Sequence, residues 1–268
     1  MSSIESYYDL NAQTEWERLA HHRVEFATTQ RALAEYLPPP PARILDCGGG
    51  PGRYSILLAS QGYEVTLLDL SQGNLALAQA NASRAGVEIA AFVHGNALDL
   101  SAFVDKSFDG LLLLGPLYHL LRADERQQAV AEALRVLKPD GLLFSAFINI
   151  YSPFRDAIAQ GFLQDYSQDP QQVQALVNHI LTDQQVQTGF TDAWLAYPDQ
   201  ACALMEAVGA RMLAMLSAEG IAAGYEHNFV DLEAAAFDFW ADLNYRFCHD
   251  PHLLGSADHF LYIGKKGS

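Results

Sequence analysis

The segment "LDCGGGPGRYS", which runs from Leu45 to Ser55, places four glycines within five consecutive positions. Glycine loses more backbone entropy on folding than other residues, so such a cluster is expected where the chain turns tightly or lies against a bound molecule. An apolar run, "ARILDC", precedes the glycines, and a helical pattern from Arg53 to Ser60 follows them. The segment therefore predicts a strand, a glycine-rich loop and a helix whose N-terminus faces a polar ligand.

Two familiar phosphate-binding motifs fit this loop badly. The triphosphate loop requires a Gly-Lys pair at the position of Arg53 and Tyr54, which excludes it. The dinucleotide motif requires a third glycine that would fall on Arg53 or Ser55. The dinucleotide interpretation is therefore poor, although the motif alone does not exclude it.

Strand and helix patterns alternate through the region that contains the loop. Short apolar runs predict strands at "ARILDC", "YEVTLLDL", "VEIAAFVHG", "FDGLLLLG" and "GLLFSAFI". Between them, helices are predicted from Ser71 to Arg84, with Ser71 as N-cap and Gly86 beyond the end, and from Asp124 to Leu137, capped by Asp124. The alternation predicts an α/β fold with a doubly wound parallel sheet that carries helices on both faces.

The remaining segments divide the chain into three parts. Residues 1–41 are predicted to be helical and end in four prolines, and residues 150–196 interrupt the α/β pattern with patchy helical spacing. The pattern then resumes with helices over 197–208 and 231–247 and strands over 210–216 and 259–266. We therefore expect an N-terminal helical segment, a main domain over 42–149 and 197–268, and a helical insertion over 150–196.

Composition limits the partners of the protein. The 268 residues carry a formal net charge of −16, which repels the phosphate backbone of nucleic acids. Three widely spaced cysteines predict no disulfide framework, and there is neither a signal peptide nor an apolar run of about 20 residues for a membrane span. We expect a cytoplasmic protein that binds neither nucleic acid nor membranes, as a monomer or a homodimer.

Five motifs in order resemble those of the class I S-adenosylmethionine-dependent methyltransferases. They are Asp46-x-Gly48-x-Gly50-x-Gly52, Asp69 at the end of the second strand, "HGNALDL" over 94–100, "FDGLLLLGPLYHL" over 108–120 and "RVLKPDGLLF" over 135–144. The resemblance covers residues 42–150. It implies a Rossmann-like seven-stranded sheet whose last strand is antiparallel, with S-adenosylmethionine as cofactor and S-adenosylhomocysteine as product.

The resemblance also implies a cofactor site at the carboxyl ends of the strands. It assigns the ribose hydroxyls to Asp69, and an adenine contact to Asn96, where the family usually has Asp. Arg53 is either a surface residue or a partner of the cofactor carboxylate. The expected cofactor-binding residues are Asp46, Gly48, Gly50, Gly52, Arg53, Asp69, Leu70, Asn96, Ala97, Leu114 and Gly115.

The acceptor side of the site is less defined. His119 follows the fourth strand, where it either acts as a general base or holds the loop through a backbone hydrogen bond. We expect Tyr8, Tyr118, His119 and Trp194 to bind the substrate, and the insertion to cover the cleft with aromatic side chains of Tyr151, Phe154, Phe162, Tyr166, Phe190 and Trp194. The pair His249 and His252 lacks further ligands, so no metal site is expected.

These expectations favour an enzyme that transfers a methyl group to a small organic acceptor by in-line displacement. The alternative is a sensor or pseudoenzyme that binds S-adenosylmethionine without turnover. A dehydrogenase is a distant third interpretation.

Overall fold

A seven-stranded sheet forms the centre of the molecule. The computed structural model describes residues 3–159, 169–186 and 192–267. The sheet has the strand order β3-β2-β1-β4-β5-β9-β8. These strands are β1 (Arg43–Cys47), β2 (Glu64–Asp69), β3 (Ala91–His94), β4 (Phe108–Leu113), β5 (Leu137–Ile148), β8 (Ala210–Ser217) and β9 (His259–Lys266).

Both faces of this sheet are buried. One face packs in a cluster that includes Leu45, Leu111 and Leu143, and the other in a cluster that includes Ile44 and Leu112. Neighbouring residues of β1 and β4 therefore point into different cores, which explains why the strands read as continuous apolar runs. Strands β1 to β5 pair in parallel, whereas β9 pairs antiparallel with both β5 and β8. The predicted seven-stranded fold with an antiparallel last strand is confirmed.

Ten helices surround the sheet within the described residues. They are α1 (Ser3–His21), α2 (Arg23–Tyr36), α3 (Arg53–Ser60), α4 (Gln72–Ala85), α5 (Pro116–His119), α6 (Ala123–Val136), α7 (Ser152–Ala159), α8 (Pro170–Asp183), α9 (Pro198–Ala207) and α10 (Ala234–Cys248).

The helix ends test the predicted caps. The Ser71 hydroxyl accepts a hydrogen bond from the Asn74 N–H at 3.0 Å, and Gly86 ends α4 with a positive φ of 66°, as expected. The predicted cap of α6 is wrong, because the N-cap position is Arg122 and makes no side-chain cap. The Asp124 carboxylate instead pairs with the Arg122 guanidinium at 2.6 Å.

Helix α1 lies across the carboxyl edge of the sheet and is fixed to α4. The Asp9 carboxylate accepts hydrogen bonds from the Ser71 hydroxyl at 2.6 Å and from the Gly73 N–H at 2.9 Å. A side chain at position 73 would collide with the Asp9 carbonyl oxygen, 2.8 Å from an added Cβ. Glycine at this position therefore permits the close contact between the two helices.

The described part of the segment 150–196 packs beside the end of β5. It contains α7, α8 and a short antiparallel pair of strands, β6 (Gln185–Val186) and β7 (Ala193–Trp194). The Ala196 N–H donates to the Ile148 carbonyl at 2.9 Å, which ties the segment to the main sheet. Three of the aromatic residues expected in the cap, Phe162, Tyr166 and Phe190, lie outside the described residues.

Helix α10 carries three exposed aromatic side chains on the outside of the molecule. Phe239 is 63% exposed, and Trp240 and Phe247 are 43% exposed. The helix packs inward through Ala241 and Asn244 instead. Among the described residues, no helix is both long and apolar enough to cross a bilayer.

Candidate active site

A cavity of about 320 Å³ lies at the carboxyl ends of the parallel strands. Its walls come from the loops that follow β1, β2, β3 and β4, and from the inner side of α1. Open α/β sheets bind ligands at this edge, and the volume is near the lower end of the roughly 300–1,000 Å³ of small-molecule sites. A polar residue or a glycine lies at or just after the carboxyl end of each of these strands. Because these ends meet at one edge of the sheet, the fold brings the residues together around the cavity.

Asp69 ends β2 and is the most tightly held carboxylate of the cavity. It accepts hydrogen bonds from the Gly50 N–H at 2.7 Å, the Ser71 N–H at 2.8 Å and the Asn74 amide at 3.2 Å. Burial nevertheless raises the pKa of Asp69 above its usual range, in spite of these three donors. The Asn74 Oδ1 atom is buried and has no hydrogen-bond partner within the described residues. Two acceptor groups thus lie side by side in the wall.

Asp46 lies beneath the glycine loop and also lines the cavity. It accepts a hydrogen bond from the Ser55 hydroxyl at 2.7 Å, which ties the end of β1 to the first turn of α3. Burial raises the pKa of Asp46 to about 6. Asp46 is therefore both a structural support of α3 and a wall residue.

The glycine loop is shaped by positive φ angles and close packing. Gly48 has a φ of +78°, and a Cβ added there would lie 2.5 Å from Pro116 Cγ. Gly50 has a φ of +55°, and a Cβ added there would make ordinary contacts with Asn74 and Glu15 at 3.9 Å. Gly52, which has a φ of +90°, is the N-cap of α3 and does not line the cavity. The loop thus needs glycine for conformation at three positions, and the cavity receives the backbone of Gly48 to Gly50.

The loop after β3 forms the opposite end of the cavity. Asn96 and Ala97 from this loop line the cavity, as does Leu70, which follows β2, and all three were expected there. The Asn96 side-chain oxygen accepts the Leu98 N–H at 3.0 Å, so the local turn occupies this atom and leaves the amide nitrogen toward other partners. Leu114 and Gly115, which follow β4, complete the wall between the two ends.

Three aromatic side chains converge next to Gly115. The Tyr8 hydroxyl lies 2.7 Å from His119 Nε2, and His119 Nδ1 lies 3.4 Å from the Asp192 carbonyl oxygen. Tyr118 lies beside them, with its ring centroid 4.7 Å from that of His119. Burial lowers the pKa of His119 to about 4, so the imidazole is neutral at pH 7. Burial also raises the pKa of Tyr8 well above its usual range, so the phenol keeps its proton.

Helix α1 contributes a charged pair that the sequence analysis missed. Glu15 and Arg18 line the cavity, and their side chains meet at 3.1 Å. Arg18 also pairs with the buried Glu25 at 3.0 Å. Glu15 and Arg18 are three residues apart, which places them on one side of a helix, and this is a signal the sequence contains. The sequence could not show that this side covers a cavity.

Comparison with known proteins identifies the domain that holds this cavity. A family model described as a methyltransferase domain matches residues 45–145. Residues 45–145 form a methyltransferase domain. The match contains the glycine loop, Asp69, Asn96 and Gly115, and therefore most of the cavity wall.

Relatives of the methyltransferase domain agree with this family. The chain is 37% identical over 133 residues to a Geobacillus protein described as a methyltransferase, which covers 48% of this chain and 53% of the relative. It is 32% identical over 161 residues to the tRNA 5-carboxymethoxyuridine methyltransferase of Escherichia coli, which covers 53% of this chain and 60% of the relative. The chain thus spans between half and two thirds of the length of these relatives.

The whole chain shares its fold with solved structures. An S-adenosylmethionine-dependent methyltransferase from Thermotoga maritima superposes with a TM-score of 0.61 at 17% identity, over 97% of this chain and 99% of the other. At this identity the likeness concerns the fold. The chain therefore has the fold of this S-adenosylmethionine-dependent methyltransferase.

Gly52 and Trp194 are the predicted site residues that do not line the cavity, and Arg53 lines it but binds another partner. Trp194 is buried, stacks against the Arg126 guanidinium 3.8 Å from its ring centroid and does not line the cavity. Arg53 lines the cavity, but its guanidinium donates to the Trp16 carbonyl at 2.6 Å and lies over the Trp16 ring. The cavity thus gathers Tyr8, Tyr118 and His119 from the predicted substrate residues.

Proposed function

We propose that this chain transfers the methyl group of S-adenosylmethionine to a small organic acceptor and releases S-adenosylhomocysteine. One observation carries the proposal. The two adjacent acceptor groups of Asp69 and Asn74 and the Tyr8–His119 pair line a single cavity that α1 covers. Such a cavity offers a hydroxyl-binding wall and a separate polar group in surroundings that exclude much of the solvent.

The residues of the cavity fit the cofactor. A carboxylate offers about four acceptor positions, and protein donors occupy three of those on Asp69. The remaining position and the unpartnered Asn74 Oδ1 are two acceptors for the two ribose hydroxyls. We assign the adenine to Asn96 and Ala97, and the amino-acid end to the backbone of Gly48 and Gly50.

Bound S-adenosylmethionine supplies a methyl carbon that the neighbouring sulfonium makes electrophilic. The chain's own residues then have to orient the acceptor and limit access of water. With Nδ1–H directed at the Asp192 carbonyl, His119 Nε2 accepts the Tyr8 hydroxyl proton. The Tyr8 oxygen keeps its lone pairs for an N–H or O–H of the acceptor. We propose that this hydrogen bond aligns the acceptor and that His119 holds Tyr8 in place. As the methyl is transferred, the acceptor proton passes to the Tyr8 oxygen and the Tyr8 proton passes to His119 Nε2.

The cover that α1 forms over the cavity and the charge of the chain favour a small acceptor over tRNA. Helix α1 covers the site and is held there by the hydrogen bond between Asp9 and Ser71. The chain has a net charge of −16. Nucleic-acid sites need a basic surface to neutralise phosphates, and an acidic one opposes their approach. The name of the E. coli relative makes tRNA the acceptor class against which the proposal has to be tested.

A labelling experiment tests the proposed acceptor class. The full chain is incubated with methyl-labelled S-adenosylmethionine and either a protein-free metabolite extract or total tRNA. We expect label in a small organic product and none in tRNA. Label in tRNA alone would overturn the small-acceptor proposal, and binding of the cofactor with no labelled product in either fraction would favour a protein without turnover.

The Tyr8 hydroxyl provides the test of the acceptor-side assignment. Tyr8→Phe keeps the ring but removes the group that bonds His119, so we expect the methyl-transfer rate to fall by about 100-fold. Affinity for S-adenosylmethionine should change less than about threefold, because the Tyr8 hydroxyl bonds His119 and not Asp69 or Asn74. Tyr7→Phe is the matched control, since Tyr7 neighbours Tyr8 on α1 and does not line the cavity. Equal rates in the two variants would contradict the assignment.

A further inference from the structure

A carboxylate in the first turn of α6 lines the cavity and has no part in the mechanism described so far. This residue is Glu125, whose side chain is half-buried. The neighbouring Arg122 bonds Asp124 at 2.6 Å, and Arg126 donates to the Leu120 carbonyl at 2.6 Å. Within the part of the chain that the structure describes, the Glu125 carboxylate makes neither a hydrogen bond nor an ion pair. It is therefore an acceptor group that the cavity wall offers to a ligand.

Two hydrogen bonds fix α6 along the loop that follows β3. The Gln128 side-chain amide donates to the Leu98 carbonyl at 2.8 Å, and the Leu100 N–H donates to the Glu132 carboxylate at 2.9 Å. Between these two bonds the helix advances four residues and the loop advances two, which is about 6 Å for each. The helix and the loop therefore run side by side in the same direction.

The same register brings Glu125 to the loop residue expected at the adenine. Glu125 lies on the same side of α6 as Gln128, three residues earlier, and Asn96 lies two residues before Leu98. Both Glu125 and Asn96 line the cavity. Because the Asn96 side-chain oxygen accepts the Leu98 N–H, the Asn96 amide nitrogen is the group left to donate. The two side chains thus present one acceptor and one donor at the same end of the cavity.

We propose that Glu125 and Asn96 together bind the adenine ring of S-adenosylmethionine, and that Glu125 selects adenine against other purines. The free edge of adenine carries a donor, the exocyclic amino group, beside an acceptor, the adjacent ring nitrogen. In this assignment the amino group donates to the Glu125 carboxylate, and the Asn96 amide donates to the ring nitrogen. The inference rests on the proposed cofactor. It identifies an acceptor on α6 in a chain that has Asn96 where the resembled family usually has Asp.

The pairing predicts strong discrimination against a deaminated cofactor. Hypoxanthine has a carbonyl oxygen in place of the amino group of adenine, and its adjacent ring nitrogen carries a hydrogen. Its oxygen would face the Glu125 carboxylate, and its N–H would face the Asn96 amide hydrogens. Both contacts would be mismatched, and sites built on hydrogen bonds reject such analogues because polar groups lose their partners. We expect the deaminated ligand to bind at least about 100-fold more weakly.

Titration calorimetry of the full chain with S-adenosylhomocysteine and S-inosylhomocysteine tests the proposal. Glu125→Gln replaces a pure acceptor by an amide, which can accept from the amino group of adenine or donate to the carbonyl of hypoxanthine. In this variant we expect the preference for the adenosyl ligand to fall below about tenfold. The preference is a ratio of two affinities measured on one protein preparation, so it does not depend on the fraction of folded protein.

The adjacent acid of α6 supplies the matched control. Asp124→Asn should keep the full preference, because the Asp124 side chain is 66% exposed, pairs with Arg122 and does not line the cavity. An undiminished preference in Glu125→Gln would overturn the role of Glu125, as would a preference below about tenfold in the original chain. Either result would leave the proposed methyl transfer intact. Failure of the original chain to bind either ligand would overturn the proposed cofactor and this inference together.

Discussion

Asp69 has more hydrogen-bond partners than any other carboxylate in the cavity wall, and its role can be tested by removing it. Asp69→Ala takes away the proposed ribose acceptor and leaves the N–H groups of Gly50 and Ser71 without their partner. We expect affinity for S-adenosylmethionine to fall at least about 100-fold in titration calorimetry, since hydrogen bonds to charged groups contribute about 1.5–3 kcal/mol each. Asp99→Ala is the control, because Asp99 bonds only its local turn at Ser101. Unchanged affinity in Asp69→Ala would refute the ribose assignment.

Gly48 and Gly86 distinguish two reasons for glycine in this fold, a positive φ angle and close packing against a neighbour. Both have positive φ angles, but an added Cβ meets Pro116 at 2.5 Å at position 48 and nothing within 4 Å at position 86. Gly86→Ala should lower the free energy of unfolding by about 1 kcal/mol, the cost of the backbone conformation. Gly48→Ala should lower it by about 3 kcal/mol, because a steric clash is added. Urea denaturation measures both, and equal losses would show that Pro116 moves away freely.

At the scale of elements, the contact between α1 and α4 controls access to the cavity. Asp9→Ala removes the carboxylate that accepts from the Ser71 hydroxyl and the Gly73 N–H. We expect hydrogen exchange of residues 3–21 to become about fivefold faster, because a lost helix cap costs about 1 kcal/mol. The sheet should keep its protection. Gln13→Ala is the control on the same helix, since Gln13 bonds only Glu17. Equal exchange in both variants would show that α1 is held by its other contacts.

The elements also show what the sequence determines locally. The last strand, His259–Lys266, has the predicted limits, since a continuous apolar run is bounded by polar residues. Strand β5 begins four residues earlier than predicted. The Pro139-Asp140-Gly141 segment forms an irregularity within the strand pairing, where Asp140 has a φ of 59°, and does not end it. A bulge and a loop have the same composition, so only the neighbouring strand distinguishes them.

The same distinction between local sequence signals and long-range contacts decides which site residues could be predicted. Asp69, Asn96 and His119 were found because each follows a strand, and strand ends meet at one edge of the sheet. Glu15 and Arg18 were missed because they reach the cavity from a helix that packs across the sheet, a contact between distant parts of the chain. Trp194 was expected in the site from its position in the insertion, but it is buried against Arg126.

At the scale of the molecule, a chain of buried and half-buried charges joins α1 to the last strand. It runs from Arg18 through Glu25 to His259 and Glu219, with His259 Nδ1 2.7 Å from Glu219 and 4.0 Å from Glu25. Burial opposes ionisation of Glu25, but Arg18 and His259 outweigh it and lower the pKa of Glu25 to about 2. Burial likewise opposes protonation of His259, but Glu25 and Glu219 raise its pKa to about 9. Glu25, Glu219 and His259 also lie close enough to one another to hold a metal ion. In the protonated state, the positive charge of the His259 imidazolium balances the two carboxylates.

The raised pKa of His259 makes the stability of the whole chain depend on pH. A histidine with a pKa of about 9 in the folded state stabilises the fold fully below its unfolded pKa of about 6.5 and loses that contribution as pH rises through 9. The loss between these values is up to about 3 kcal/mol. The contribution of Glu25 changes only in acid, present above pH 4.5 and lost as pH falls through about 2, so the two windows do not overlap.

His259→Gln should therefore make the free energy of unfolding decline less steeply between pH 6.5 and 9. It should also lower that free energy at pH 6.5, because Glu25 and Glu219 lose the cation between them. A smaller slope should remain, since Glu226 also raises the pKa of His22. Chemical denaturation across this range measures the slope. His252→Gln is the control, because His252 is 92% exposed beside Asp250 and should leave the curve unchanged. A slope of the original size in His259→Gln would place the alkaline titration elsewhere and show that the charge chain does not couple α1 to the last strand.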